Sequence, residues 1–337
     1  MKKFVLGTML LFLSLTIKGE EEGVVSVVKY PTFRVDGSLI SRLEYATRTD
    51  ESRFSVRSSR IGVKGNFNEY FTYRGQIEIS NKGNFAPLDL YAGFNPNERF
   101  SLTIGQRTIP LFNDYTVVPA QLMFSNCAFL GEYVMGTRDI GMLGQYNFGI
   151  AGMPSSLELG VYNGSTINAP SWHGKPSYGG RFTLGEMTGW RSTVKFFEHD
   201  SSVNESIRYQ VYGADLRYEC ERWRAEAEVM KRKDKVSGLG DVFTYYIQGA
   251  YVHPLNYDVI KNFIPAVRFD GIEYDEDVNF DATRLTLGLG FGLSPKYLSS
   301  IFRIDYEHFF VSRESESMML DRAVTSNKLT VELVLTF

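Results

Sequence analysis

Arginine and lysine recur in this chain two positions from carboxylates: Arg42 and Glu44, Arg224 with Glu226 and Glu228, Arg303 with Asp305 and Glu307. A spacing of two puts such residues on one face of a β-strand. The interleaved positions are apolar, as in Phe71, Tyr73, Ile77 and Ile79, or Phe302, Ile304 and Tyr306. Each segment therefore has one charged face and one oily face. Charges ranged along a low-dielectric wall focus a field into the water beside them, and the planar fork of arginine suits phosphate and carboxylate groups. The chemistry on offer is ion recognition rather than bond making.

The basic residues assigned to the charged faces, and so the candidates for lining a pore and touching an anion, are Arg42, Arg60, Lys64, Arg74, Arg107, Arg138, Arg181, Lys195, Arg217, Arg224, Arg268, Arg284 and Arg303. Against them stand Glu44, Glu78, Asp89, Asp215, Glu226, Glu228, Asp270, Asp305, Glu307 and Glu332. The two sets nearly match, so this pattern alone does not show anion selectivity. Any one arginine reads first as a wall ion pair.

Other chemistries find little support. The histidines, His173, His199, His253 and His308, belong to no motif joining them to a serine, so no nucleophile–base pair and no enzyme are expected. No Cys/His spacing suits a metal, and no phosphate-binding glycine loop is present; no cofactor is expected. The net charge of -3 would fall to about -6 with Lys2, Lys3 and Lys18 removed, which argues against nucleic acid as a partner. Cys127 and Cys220 are expected to lie near opposite rims and to remain unpaired with each other.

The elements that must position these faces are strands. Leu329, Val331, Leu333, Leu335 and Phe337 alternate strictly with Lys328, Thr330, Glu332 and Thr336 at the end of the chain. At its start, Lys2 and Lys3 precede an apolar run of about 14 residues to Ile17, too short to span a bilayer as a helix. We read 1–19 as a cleaved signal peptide and 20–337 as the mature domain. A charge facing lipid at mid-bilayer costs about 2–4 kcal/mol, so in a membrane these strands must close into a barrel with the charges inside. Composition and pattern thus give an all-β, transmembrane antiparallel barrel of about 16 strands in the outer membrane's lipid, wide enough for a water-filled lumen.

Sixteen period-two runs are expected at 33–47, 53–66, 70–80, 87–94, 99–108, 138–148, 156–163, 178–185, 189–198, 206–218, 221–232, 242–253, 262–272, 280–293, 298–311 and 326–337. Even-to-odd connections are short and odd-to-even connections longer, as in barrels with periplasmic turns and outer loops. The third outer loop, between Ile109 and Thr137, is long and apolar, and is expected to fold inward. Its candidate constriction residues are Pro110, Phe112, Asp114, Tyr115, Phe124, Phe129 and Glu132.

Several local patterns resemble the phosphate-selective porin O and P family of Gram-negative outer membranes. They are V-R-S-S-R-I-G-V-K-G-N-F (Val56 to Phe67), L-D-L-Y-A-G-F and L-T-I-G-Q-R-T-I-P-L-F (Leu88 to Phe112), T-R-D-I-G (Thr137 to Gly141), and Y-G-A-D-L-R-Y with A-E-V-M (Tyr212 to Met230). After Gly105-Gln106 the family's usual aromatic and Lys are replaced by Arg107 and Thr108. The resemblance implies a sixteen-strand porin, commonly a homotrimer, that passes small anions, with Arg60, Arg107 and Arg138 foremost. The rival expectation is a closed barrel acting in binding, adhesion or structure, with Trp172 and His173 in the fourth outer loop.

Overall fold

The computed structural model describes residues 29–79, 85–117, 119–131, 134–172, 174–201, 207–236, 240–275, 280–294, 300–311 and 327–337. The expected signal peptide, Glu132, His173 and the outer loop 312–325 lie outside the described residues.

Residues 31–337 build one antiparallel sheet that closes on itself. Its sixteen wall strands are β1 (Arg34–Ala46), β2 (Glu51–Val56 continuing as Ser59–Asn66), β3 (Phe71–Ile79), β4 (Phe85–Phe94), β5 (Phe100–Thr108), β6 (Arg138–Ile150), β7 (Met153–Tyr162), β8 (Ser177–Gly185), β9 (Gly189–Ser201), β10 (Ile207–Glu219), β11 (Trp223–Asp234), β12 (Asp241–Tyr251 with His253–Pro254), β13 (Asn262–Asp275), β14 (Phe280–Gly292), β15 (Ile301–Val311) and β16 (Lys328–Thr336). The strictly alternating last strand is the seam. It pairs with β1 from Ser38↔Thr336 to Ala46↔Lys328, and Gly37 and Phe337 exchange backbone hydrogen bonds of 3.0 and 3.1 Å.

The strand list matches the expected one, with differences at the ends. β11 continues to Asp234 and β13 to Asp275. Beyond the oily belt the strands carry polar residues on both faces, such as Lys231 and Lys233 opposite Arg232 and Asp234, so the period-two apolar signal stops before the ladder does.

The short connections are built from local chemistry. Ala151 and Gly152, with φ of 50° and 79°, form a two-residue hairpin of the primed kind that suits strand twist. Asn68 accepts from the amides of Tyr70 and Phe71 at 2.9 and 2.8 Å, and Asn97 from those of Arg99 and Phe100, both at 3.0 Å. Both turns share the sequence N-E-x-F and are closed by the Asn side chain.

The outward face is apolar and open, with Leu159, Val194, Leu216 and Ile247 exposed. Aromatic pairs ring the short-turn rim, Trp190 against Tyr218 at 4.9 Å and Trp223 against Tyr251 at 4.6 Å. An apolar surface of this extent with aromatic girdles is suited to lipid rather than water.

Candidate functional site

The third loop (109–137) folds into the bore, where it forms a four-residue helix, Asn113–Thr116, and a 3-10 turn, Pro119–Gln121. A loop inside a barrel has no strand beside it, so its backbone polar groups need partners from the wall. The charged faces of β9–β16 and β1 supply them. Loop carbonyls accept from arginines: Leu122 from Arg303 at 2.7 Å, Asn126 from Arg268 at 2.8 Å, Cys127 from Arg284 at 2.8 Å and Gln121 from Arg224 at 2.9 Å. Arg42 donates to the carbonyl of Ser125. Loop amides donate to carboxylates: Ser125 to Asp305 at 2.6 Å, Phe129 to Asp270 at 2.9 Å and Asn113 to Glu228 at 3.2 Å.

The same charges pair with one another. Arg284 holds Asp270 and Glu307, each at 2.6 Å, while Arg42 and Arg303 share Glu332. Lys195, with a fully buried side chain, lies between Asp215 at 2.6 Å and Glu228. Above and below this band the loop is sealed by apolar packing. Phe112, Phe129 and Leu130 pack against Phe197, Val211 and Met230; Met123 and Phe124 pack against Ile40, Ile264 and Val334. Within the loop, burial and nearby Glu226 raise the Asp114 carboxyl above the usual carboxylate range, and desolvation pushes the Cys127 thiol up to about 12.

Two cavities remain beside the loop. One, of about 610 Å³, is lined by Arg42, Arg57, Arg60, Arg138, Arg284, Arg303 and Lys328, with Glu78 and Asp114 of opposite sign among the described residues. The other, of about 230 Å³, is lined by Asp89, Tyr91, Arg107, Pro110, Glu158 and Arg181 among others. Tyr115 lines both.

This geometry sorts the candidates. Arg42, Arg60, Arg138, Arg284 and Arg303 line the larger cavity, and Arg107 and Arg181 the smaller. Lys64 and Arg74 face inward on Asp36, at 2.7 and 3.0 Å. Lys195, Arg217, Arg224 and Arg268 lie apart from both cavities: each side chain is at most 4 % exposed and paired with carboxylates. Of the candidate constriction residues, Asp114, Tyr115 and Phe129 line the larger cavity and Pro110 and Tyr115 the smaller. Phe112 is fully buried, and Phe124 lies under the guanidinium of Arg268 at 4.8 Å.

Three features escaped sequence reasoning. Arg57 enters the lumen because β2 holds one extra residue: Ser41 pairs with Val56, but Ser38 with Arg60, and Ser58 has φ of 53°. The visible signal was R-S-S-R, whose spacing of three cannot place both arginines on one face of a regular strand. His199 lies 3.5 Å from the Oγ of Ser177 on the neighbouring strand and stacks on Tyr209 at 4.5 Å, a pairing between residues 22 positions apart. Both residues are buried and neither lines either cavity. The Gly105-Gln106 pair builds the wall: Gly105 has φ of 132°, and Gln106 Nε2 donates to the carbonyls of Pro87 and Leu88 at a bulge in β4, both at 3.0 Å.

The fold and its bore define a class, the transmembrane antiparallel β-barrel of sixteen strands with a loop folded inward. No family model matches the chain, and no curated protein matches it in sequence. Among solved structures it is similar to an anion-selective porin from Comamonas acidovorans (TM-score 0.63, 13% identity, 91% of this chain and 100% of that one). It is also similar to Salmonella typhi OmpF in complex with daunomycin (0.64, 14%, 90% and 97%) and to the outer membrane channel DcaP of Acinetobacter baumannii (0.61, 11%, 91% and 97%). At these identities the likeness establishes the shared barrel fold.

Proposed function

We propose that this protein is an outer-membrane porin, a passive water-filled channel for small hydrophilic solutes with a preference for anions. The observation that carries the reading is the larger cavity, where among the described residues seven basic side chains face two acidic ones. The carboxylates paired with Arg42, Arg284 and Arg303, namely Glu332, Asp270 and Glu307, do not line the cavity, so its described lining is mostly basic. A mostly basic lining beside a low-dielectric wall favours anions. The reading involves no catalytic step and no cofactor. Export would be directed by the segment ending near Gly19, and the family resemblance adds phosphate as a candidate solute and the homotrimer as the assembly.

Single-channel recording of the refolded protein in planar bilayers under a salt gradient tests this. Stable conductance with an anion-side reversal potential is expected. A closed barrel with a binding or structural role is the second reading, favoured by how much of the bore the packed loop fills; a folded protein that passes no current would select it.

A further inference from the structure

The arginines that line the two cavities are not equivalent. In the larger one, Arg60 is held by Glu78 at 3.4 Å and Arg138 by Asp89 at 3.2 Å. Arg57 lines the same cavity, is exposed to it, and has no carboxylate partner among the described residues. In the smaller one, Arg181 is paired with Glu158. Arg107 there donates to the hydroxyl of Thr103 at 2.6 Å and lies over the ring of Tyr91 at 5.3 Å. Among the described residues its Nε is buried with no hydrogen-bond partner, and it too has no carboxylate partner. Among the described residues each cavity thus holds one guanidinium with no carboxylate partner, and Tyr115 lines both.

We propose that Arg57 and Arg107 are the two anion-holding positions of the bore, each taking a small oxyanion, a carboxylate or a phosphate, in the fork of its guanidinium. The inference rests on the channel reading above and assigns the solute contact to these two rather than to the paired Arg60 and Arg138. A paired guanidinium has its donors engaged and its field cancelled at short range. An unpaired one keeps donors free for a bidentate contact. Two such sites in succession let an anion enter one as another leaves the second, and weak multi-site binding is the condition for conduction. The extra residue of β2 has a role in this account: it turns Arg57 into the lumen on the same face as Arg60.

The test compares the wild type with Arg57→Gln, Arg107→Gln, Arg60→Gln and Arg57→Lys. All are refolded, checked for barrel circular dichroism, and recorded under a potassium chloride gradient with inorganic phosphate or succinate added in separate runs. Both oxyanions are expected to reduce the wild-type chloride current. Arg57→Gln and Arg107→Gln are each expected to shift the reversal potential toward the cation side and weaken this block by about tenfold, the scale of one charge-assisted hydrogen bond. Arg60→Gln should leave the block nearly unchanged. Arg57→Lys should keep the reversal potential and lose the block, because charge is retained and the fork is not. Block by phosphate alone would narrow the site to phosphate and still support it. Block by neither anion, or equal loss in Arg60→Gln and Arg57→Gln, would overturn the inference while an anion-selective wild type upheld the porin reading. A wild type that folds and passes no current would overturn both.

Discussion

The two halves of the lumen wall use the same residue types for opposite ends. On β9–β16 and the later part of β1, at Arg42, the arginines and carboxylates that meet the third loop are buried, bonded to each other and to its backbone. On β2–β8 and the start of β1 the ion pairs are partly exposed, as in Lys64 with Asp36 or in Arg60 with Glu78, which line the larger cavity. The first half replaces water for a loop that would otherwise carry unsatisfied polar groups. The second keeps its water. Charge in a barrel interior is therefore not by itself a sign of solute contact; what faces the charge decides.

The sharpest way to break this contrast is to remove one carboxylate from each half. Asp270→Ala leaves Arg284 and the amide of Phe129 short of a buried acceptor and should cost about 3–5 kcal/mol in urea unfolding, with new protease cuts in the third loop. Asp36→Ala on the other half, where Asp36 is 24% exposed at the side chain and its partner Lys64 48%, should cost under about 1 kcal/mol. Equal costs would erase the distinction between the halves. Between these lies a change on the lipid face: Leu159→Arg, which is 60% exposed on the outer surface, should lower stability by about 2–4 kcal/mol in lipid.

The smallest effect expected is a labelling difference between the two cysteines, both of which are free thiols. Backbone amides of Arg222 and Trp223 draw the Cys220 thiol below its usual range, whereas desolvation pushes Cys127 up to about 12. Only the thiolate reacts, so alkylation near pH 8 should modify Cys220 in the short turn and spare Cys127 in the loop. In intact cells that labelling should require a permeabilised outer membrane. Rapid labelling of Cys127 instead would mean that the loop is not held as described.

The barrel was legible because its signals are local. Period-two alternation in N-K-L-T-V-E-L-V-L-T-F and the parity of short and long connections carry strand number and facing without reference to distant residues. The inward loop was legible from its composition, since Phe112, Phe124 and Phe129 would be poorly placed in water. What was not legible was the division of labour among the arginines. Arg268 and Arg60 look alike in sequence, and only the loop's path decides that one is sealed by the carbonyl of Asn126 while the other meets a cavity. Arg57 was lost for a different reason, because strict alternation has no place for the extra residue of a bulge.

The account turns on the third loop being fixed to one half of the wall. Hydrogen exchange on the refolded protein in detergent tests this most directly, read at the amides of Ser125 and Phe129, which donate to the wall carboxylates Asp305 and Asp270. We expect those amides to exchange as slowly as the ladder amides of β13 and β14. Exchange at the rate of an open peptide, with the strands still protected, would contradict a fixed loop and with it the division of the lumen into a bonded half and an open one.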